Sequence, residues 1–95
     1  MHGEDLFEWD EKKNRENQHK HHVSFEEARL VFNDHQRILL DDLDHSDKEQ
    51  RYFCIGYVDR KIITVRFTRR DGKIRIFGAG YWRQGKKLYE TLRLG

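Results

Sequence analysis

The sequence predicts an α+β fold, because its hydrophobic period changes twice. Apolar residues follow helical spacing up to residue 33, then alternate with polar ones from Arg37 to Ala79 in runs rich in β-branched and aromatic side chains. Helical spacing returns after Arg83 through Leu88, Tyr89 and Leu92. The expected order is a short N-terminal strand, two helices, an antiparallel twisted sheet built as a meander, and a C-terminal helix. The 95 residues suit one domain spanning 1–95. Its core should be small, since the apolar share is 36% against the usual ~45–50%.

Leu6, Phe7 and Trp9 supply the first strand, and Asp10 is a good N-cap for a helix over 11–20. That helix contains no apolar residue. Lacking a hydrophobic stripe, it must face solvent, a partner or a ligand. Ser24 and Glu27 form a capping box, in which the serine hydroxyl accepts from the Glu27 amide and the glutamate reaches back. The second helix runs through Phe25, Ala28, Leu30, Val31 and Phe32 and ends near Asn33 and Asp34.

Ile38, Leu39 and Leu40 begin the meander, and an acidic connection over 41–50 leads to strands over 52–58, 62–68 and 73–79. Turns fall at 59–61 and at Asp71-Gly72. With Asp71 and Gly72 central in a two-residue turn, Arg70 faces Lys73, Thr68 faces Arg75 and Arg66 faces Phe77. Arg69, Phe67 and Val65 then face Ile74, Ile76 and Gly78. One sheet face becomes apolar, with Ile63, Val65, Phe67, Ile74 and Ile76, and the other carries Arg66, Arg70, Lys73, Arg75 and Phe77.

Charge is split along the chain. Residues 1–50 hold seven Lys/Arg and fourteen Asp/Glu, whereas residues 51–95 hold twelve and three. The basic half suits a polyanionic partner, and the alternative is that the two halves neutralise one another on folding. Clustered arginines beside Phe77 suit a sheet that grips a nucleic-acid backbone and stacks a base. On the first helix, Lys13, Asn17, Lys20 and His21 share one face, able to bind phosphate and move a proton or simply to face water.

Other chemistries are poorly supported. Cys54 is the sole cysteine, so an intrachain disulfide or thiolate zinc cage is excluded and a reducing, cytoplasmic location is expected. Residues 1–5 lack the basic and apolar regions of a signal peptide. His21 and His22 are adjacent on a helix and point apart, so no metal site is expected. The cluster Gly78-Ala79-Gly80 lacks the pattern of a phosphate loop and suits a close backbone approach.

Several of these residues carry a resemblance. Phe7 to Glu11, then Lys13, Asn17, Lys20-His21, Val23 to Ala28 and Val31-Phe32 are similar to the N-terminal signature of the BrnT family. His45-Ser46, Glu49 and Arg51 match its middle motif, and Asp71-Gly72, Ile74 to Ile76 and Tyr89-Glu90 its C-terminal part. The resemblance implies a toxin of a type II toxin–antitoxin system with a RelE-like fold, an endoribonuclease that arrests translation and uses no metal or other cofactor. It also implies a BrnA-type antitoxin as partner, a heterotetramer with it, and contact with promoter DNA only through that antitoxin.

The site residues expected from this resemblance are Arg51, Arg75 and Arg83 as phosphate or transition-state cations. Lys20 and His21 would transfer protons or bind phosphate, and Tyr89 would position them. Lys13, Arg66, Arg70, Lys73 and Phe77 would bind RNA. Two positions depart from the family pattern: His22 stands where glycine is usual, and Gly80 where the strand usually ends in arginine. The second departure admits an alternative, a module that binds antitoxin or RNA without cleaving it.

Overall fold

The computed structural model describes residues 6–95, so the N-terminal pentapeptide judged above for a signal peptide lies outside the described residues. A five-stranded sheet organises the chain in the order β1-β5-β4-β3-β2. The strands are β1 (Phe7–Glu8), β2 (Ile38–Asp41), β3 (Arg51–Val58), β4 (Lys61–Arg70) and β5 (Lys73–Gly80). Strands β2 to β5 form the expected antiparallel meander, but β1 lies parallel to β5, pairing Phe7 with Ile74 and Glu8 with Arg75. The sheet is therefore mixed. Helices and strands β2 to β4 separate β1 from β5, which leaves ample chain for a parallel crossover.

Helix α1 (Glu11–His21) starts where Asp10 accepts from the amides of Lys12 and Lys13, at 2.8 and 3.3 Å. It stops at His22, whose φ of 60° and ψ of 27° place it in the left-handed region. Glycine is the usual residue there because it lacks the Cβ that this conformation crowds. That is the physical sense of the first departure from the family pattern.

The second helix is less regular than its spacing suggests. An α-helical turn, α2 (Phe25–Ala28), tightens into a 3₁₀ segment over Arg29–Asn33. The Ser24 hydroxyl accepts from the Glu27 amide at 3.0 Å, while the Glu27 carboxylate turns to Lys61 at 3.5 Å. At the far end, α3 (Arg83–Tyr89) widens into a π-type turn over Glu90–Leu94.

The β4–β5 hairpin follows the expected register only near its turn. Asp71 and Gly72 have φ of 50° and 78°, as a two-residue turn between twisted strands requires. Arg70, Arg69, Thr68 and Phe67 face Lys73, Ile74, Arg75 and Ile76. Beyond them the register slips, so that Arg66 faces Gly78 and Val65 faces Ala79, leaving Phe77 as the extra residue of a β-bulge. Two contacts account for it: Arg51 lies over the Phe77 ring, and the shifted Ala79 peptide bonds Asn17.

Apolar side chains collect on both sides of the sheet. The larger cluster joins Val23, Phe25, Ala28 and Val31 to Cys54, Ile63, Val65, Phe67 and Ile76. Most of the face predicted to be apolar is thus in place. Burial pushes the Cys54 thiol up to about 12, which keeps it a thiol near neutral pH. The smaller cluster packs Ile38, Ile55 and Ile62 against Tyr89 and Leu88 of α3. Helix α3 can lie this close because Gly85 has no side chain: a Cβ there would fall 2.0 Å from the Thr64 hydroxyl oxygen.

Asp34 ties these layers together, accepting from the Tyr89 hydroxyl and from the amides of Gln36 and Tyr57, both at 2.8 Å. Burial opposes its ionisation most strongly, but the hydrogen bonds together outweigh it and leave the carboxyl below its usual value of 3.8. Tyr89 is shifted the other way, to about 12, by burial first and then by Asp34. A depressed carboxyl favours folding above its unfolded value, near pH 4, and loses that contribution as pH falls through the lower folded value. A raised phenol contributes fully below about pH 10 and loses it as pH rises through the folded value. Urea titrations across pH should therefore show an acid limb below about pH 4 and an alkaline limb between about pH 10 and 12. Asp34→Asn should make the acid limb shallower; an unchanged limb would remove Asp34 from this role.

Candidate functional site

Helix α1 answers the puzzle of its missing apolar face with two asparagines. Asn14 is fully buried and Asn17 is 8% exposed. The Asn17 amide donates to the carbonyls of Val23 and Ala79, each at 2.9 Å, and its oxygen accepts from the Ala79 amide at 3.2 Å. Asn14 accepts from the Phe25 amide at 2.8 Å and donates to Glu11 and Glu26. Polar docking of this kind holds α1 against the end of β5 and brings Lys13, Lys20 and His21 to one recess with sheet residues.

These side chains form one wall of a basin of about 350 Å³. The sheet supplies the other wall: Arg51 at the start of β3, Arg66 from β4, and Phe77 with Gly78 from β5. Trp82 also lines it, and Glu16 is the acid among the lining residues. Four cations line the basin with Glu16, and Glu49 lies 3.5 Å from one of them, Arg51, so the basin stays electropositive. A recess of that kind concentrates anions, most strongly at low salt.

Arg51 is fixed from two sides. Its guanidinium carbon lies 4.3 Å from the centre of the Phe77 ring, and one terminal nitrogen is 3.5 Å from Glu49. Its Nε is buried and has no hydrogen-bond partner among the described residues. A cation held against a ring face retains its charge with little freedom to wander. The guanidinium is thus positioned while keeping a donor uncommitted.

Trp82 was not among the residues expected at the site. Its indole lies against Gly80, where a Cβ would fall 2.9 Å from the ring, and edge-on to His21 with 5.5 Å between ring centres. Gly80 thus gives up a side chain so that an aromatic can enter the basin. Gly80, a strand-end glycine two residues earlier, was the signal that could have located Trp82. A second depression, an apolar groove of about 500 Å³ between α3 and the sheet, shares Arg66 and Trp82 with the basin.

The basin gathers Lys13, Lys20, His21, Arg51, Arg66 and Phe77. The remaining candidates lie elsewhere. Arg75 reaches Glu8 at 3.3 Å, and Arg70 makes a paired contact to Glu49 with both bonds at 3.2 Å. Hydrogen bonding by Arg70 in turn holds the Glu49 carboxyl below its ordinary range. Lys73 is exposed at the hairpin turn, Arg83 is exposed at the start of α3, and Tyr89 is buried against Asp34. Among the described residues, no helix is long and apolar enough to cross a membrane.

Fold and site together define a small α+β domain, one mixed sheet clasped by short helices, with a cationic basin edged by aromatic rings. Residues 9–85 match the family model described as "Ribonuclease toxin, BrnT, of type II toxin-antitoxin system". The chain belongs to the BrnT family of ribonuclease toxins, whose type II systems pair each toxin with an antitoxin. No curated protein matches it.

Proposed function

We propose that this chain is a metal-independent endoribonuclease that inhibits translation by cutting RNA in the basin. The observation carrying this reading is the convergence of Lys20, His21, Arg51 and Arg66, drawn from a helix and two strands, around one recess. Cleavage of RNA through its own 2′-hydroxyl needs no outside nucleophile. The protein must place the phosphate, offset charge on the phosphorane and move two protons. Arg51 and Arg66 take the charge-offsetting role, Lys20 and His21 exchange protons or hold phosphate, and Phe77 and Trp82 offer rings on which bases stack. Arg75, Arg83 and Tyr89 are not among the residues that line the basin, so this reading gives the chemistry to those that are.

The cognate partner is a BrnA-type antitoxin that covers the basin, excluding RNA and neutralising charge in one step. The pair assembles as a heterotetramer in the cytoplasm and meets promoter DNA only through the antitoxin. Purified protein incubated with an oligoribonucleotide in the presence of a chelator should yield fragments ending in a 2′,3′-cyclic phosphate. The all-deoxy oligomer should stay intact. Intact RNA in every condition would sink the proposal.

A second reading has an observation of its own: Trp82 occupies the space that a side chain at position 80 would need, so the end of β5 offers the basin no cation there. In that reading the basin binds RNA or antitoxin without cleaving. It predicts salt-sensitive RNA binding with no product.

A further inference from the structure

We infer that His45, oriented by the buried Asp42, is the general base that takes the proton from the ribose 2′-hydroxyl. The inference rests on the ribonuclease reading above and assigns the base to His45, which leaves Lys20 and His21 to donate a proton and hold phosphate.

His45 sits in the 3₁₀ turn Leu43–His45, between β2 and β3. Its Nδ1 is 3.0 Å from both carboxylate oxygens of Asp42. The Asp42 side chain is 5% exposed and that of His45 is 54% exposed. A carboxylate can only accept, so Nδ1 carries the proton and Nε2 is left as the accepting nitrogen. Asp42 thereby fixes the tautomer and the orientation of the ring, as the buried aspartate of a Ser-His-Asp triad does.

The turn is stapled to Arg51. The Asp42 amide donates to the Arg51 carbonyl at 2.8 Å, and the Arg51 amide donates to the Ser46 hydroxyl oxygen at 3.0 Å. The Ser46 hydroxyl donates to the Asp42 carbonyl at 2.6 Å. His45 borders the apolar groove that contains Arg66 and Trp82, and also a shallow recess that contains Arg51. Lys20 and His21 border the same two arginines from the basin. In this inference a phosphate held by Arg51 and Arg66 is served by proton-transfer groups from adjoining recesses, His45 from one and Lys20 and His21 from the other.

The step balances without a further reactant. Nε2 takes the 2′-hydroxyl proton, and the oxygen's electron pair forms the new bond to phosphorus. The bond from phosphorus to the 5′-oxygen breaks, and that oxygen leaves with its pair and takes a proton from the Lys20 ammonium. The products are a 2′,3′-cyclic phosphate and a 5′-hydroxyl.

The test compares the unsubstituted protein with His45→Ala and His45→Gln in single-turnover cleavage of an oligoribonucleotide. Binding of its uncleavable 2′-O-methyl analogue is measured alongside, and circular dichroism reports folding. Cleavage should fall about 100-fold or more in both variants, the usual worth of a placed base. Binding should change less than about threefold, a small shift on the affinity scale, and added imidazole should restore part of the rate in His45→Ala. Cleavage by a folded variant at a rate near that of the unsubstituted protein overturns the inference and leaves the ribonuclease reading standing. Parallel loss of binding and cleavage without imidazole rescue overturns it too, by showing a structural role. No cleavage by the unsubstituted protein removes both.

Discussion

Arg51→Ala should reduce RNA cleavage by about 10²–10³-fold, the usual cost of removing one donor aimed at developing transition-state charge. The expectation follows from how the side chain is held. Phe77 supports its guanidinium at 4.3 Å, Glu49 approaches one end at 3.5 Å, and its buried Nε is without a hydrogen-bond partner among the described residues. The side chain is 33% exposed although its Nε is buried, so the terminal nitrogens are the groups that would meet a phosphorane. Arg51→Lys should recover only part of the rate, because an ammonium offers neither the planar fork nor the same stacking on Phe77. Time courses of fragment release from a labelled oligoribonucleotide provide the measurement. An alanine variant cleaving within a few-fold of the unsubstituted rate would move the transition-state cation to another residue.

Asn17→Leu should destabilise the fold by about 2–4 kcal/mol, since a buried backbone group left unpaired costs ~1–3 kcal/mol. The substitution deprives the Val23 carbonyl and both polar groups of Ala79 of their Asn17 bonds. Leucine is of similar size, so the effect separates hydrogen bonding from volume. Urea unfolding followed by tryptophan fluorescence reads the loss directly. A change under 0.5 kcal/mol, the range typical of surface substitutions, would mean that α1 is held by something other than its amides.

The division between what the residues announced and what they concealed has a physical basis. Strand order within the meander was legible because Asp71-Gly72 specifies its turn and the period of two in β4 and β5 specifies the faces. The bulge was not, because it depends on Arg51 and Asn17, residues 26 and 60 positions away from Phe77 in the sequence. The parallel placement of β1 was hidden for the same reason: nothing in Phe7 and Glu8 states which edge they join. Lys13, Lys20 and His21 could be grouped from helical spacing alone. Asn14 could not be recognised as a buried anchor, since its partners Glu26 and Phe25 belong to another helix. Nothing in the strand pattern distinguishes Arg75 from Arg66, although Glu8 pairs with the first; nor does it show that Arg70 bonds both oxygens of Glu49 while Arg51 meets the same carboxylate through one nitrogen at 3.5 Å.

Anchoring α1 through amides rather than through an oily stripe has a further result. Packed hydrocarbon tolerates small rotations of a helix about its axis, because dispersion contacts have little angular preference. An amide bonded to both the N–H and the C=O of Ala79 does not, because its donor and acceptor must meet their mates in direction as well as distance. Asn17 therefore works as an index pin: it sets the azimuth of α1, and with it the bearing of the lysines and the imidazole one turn to either side.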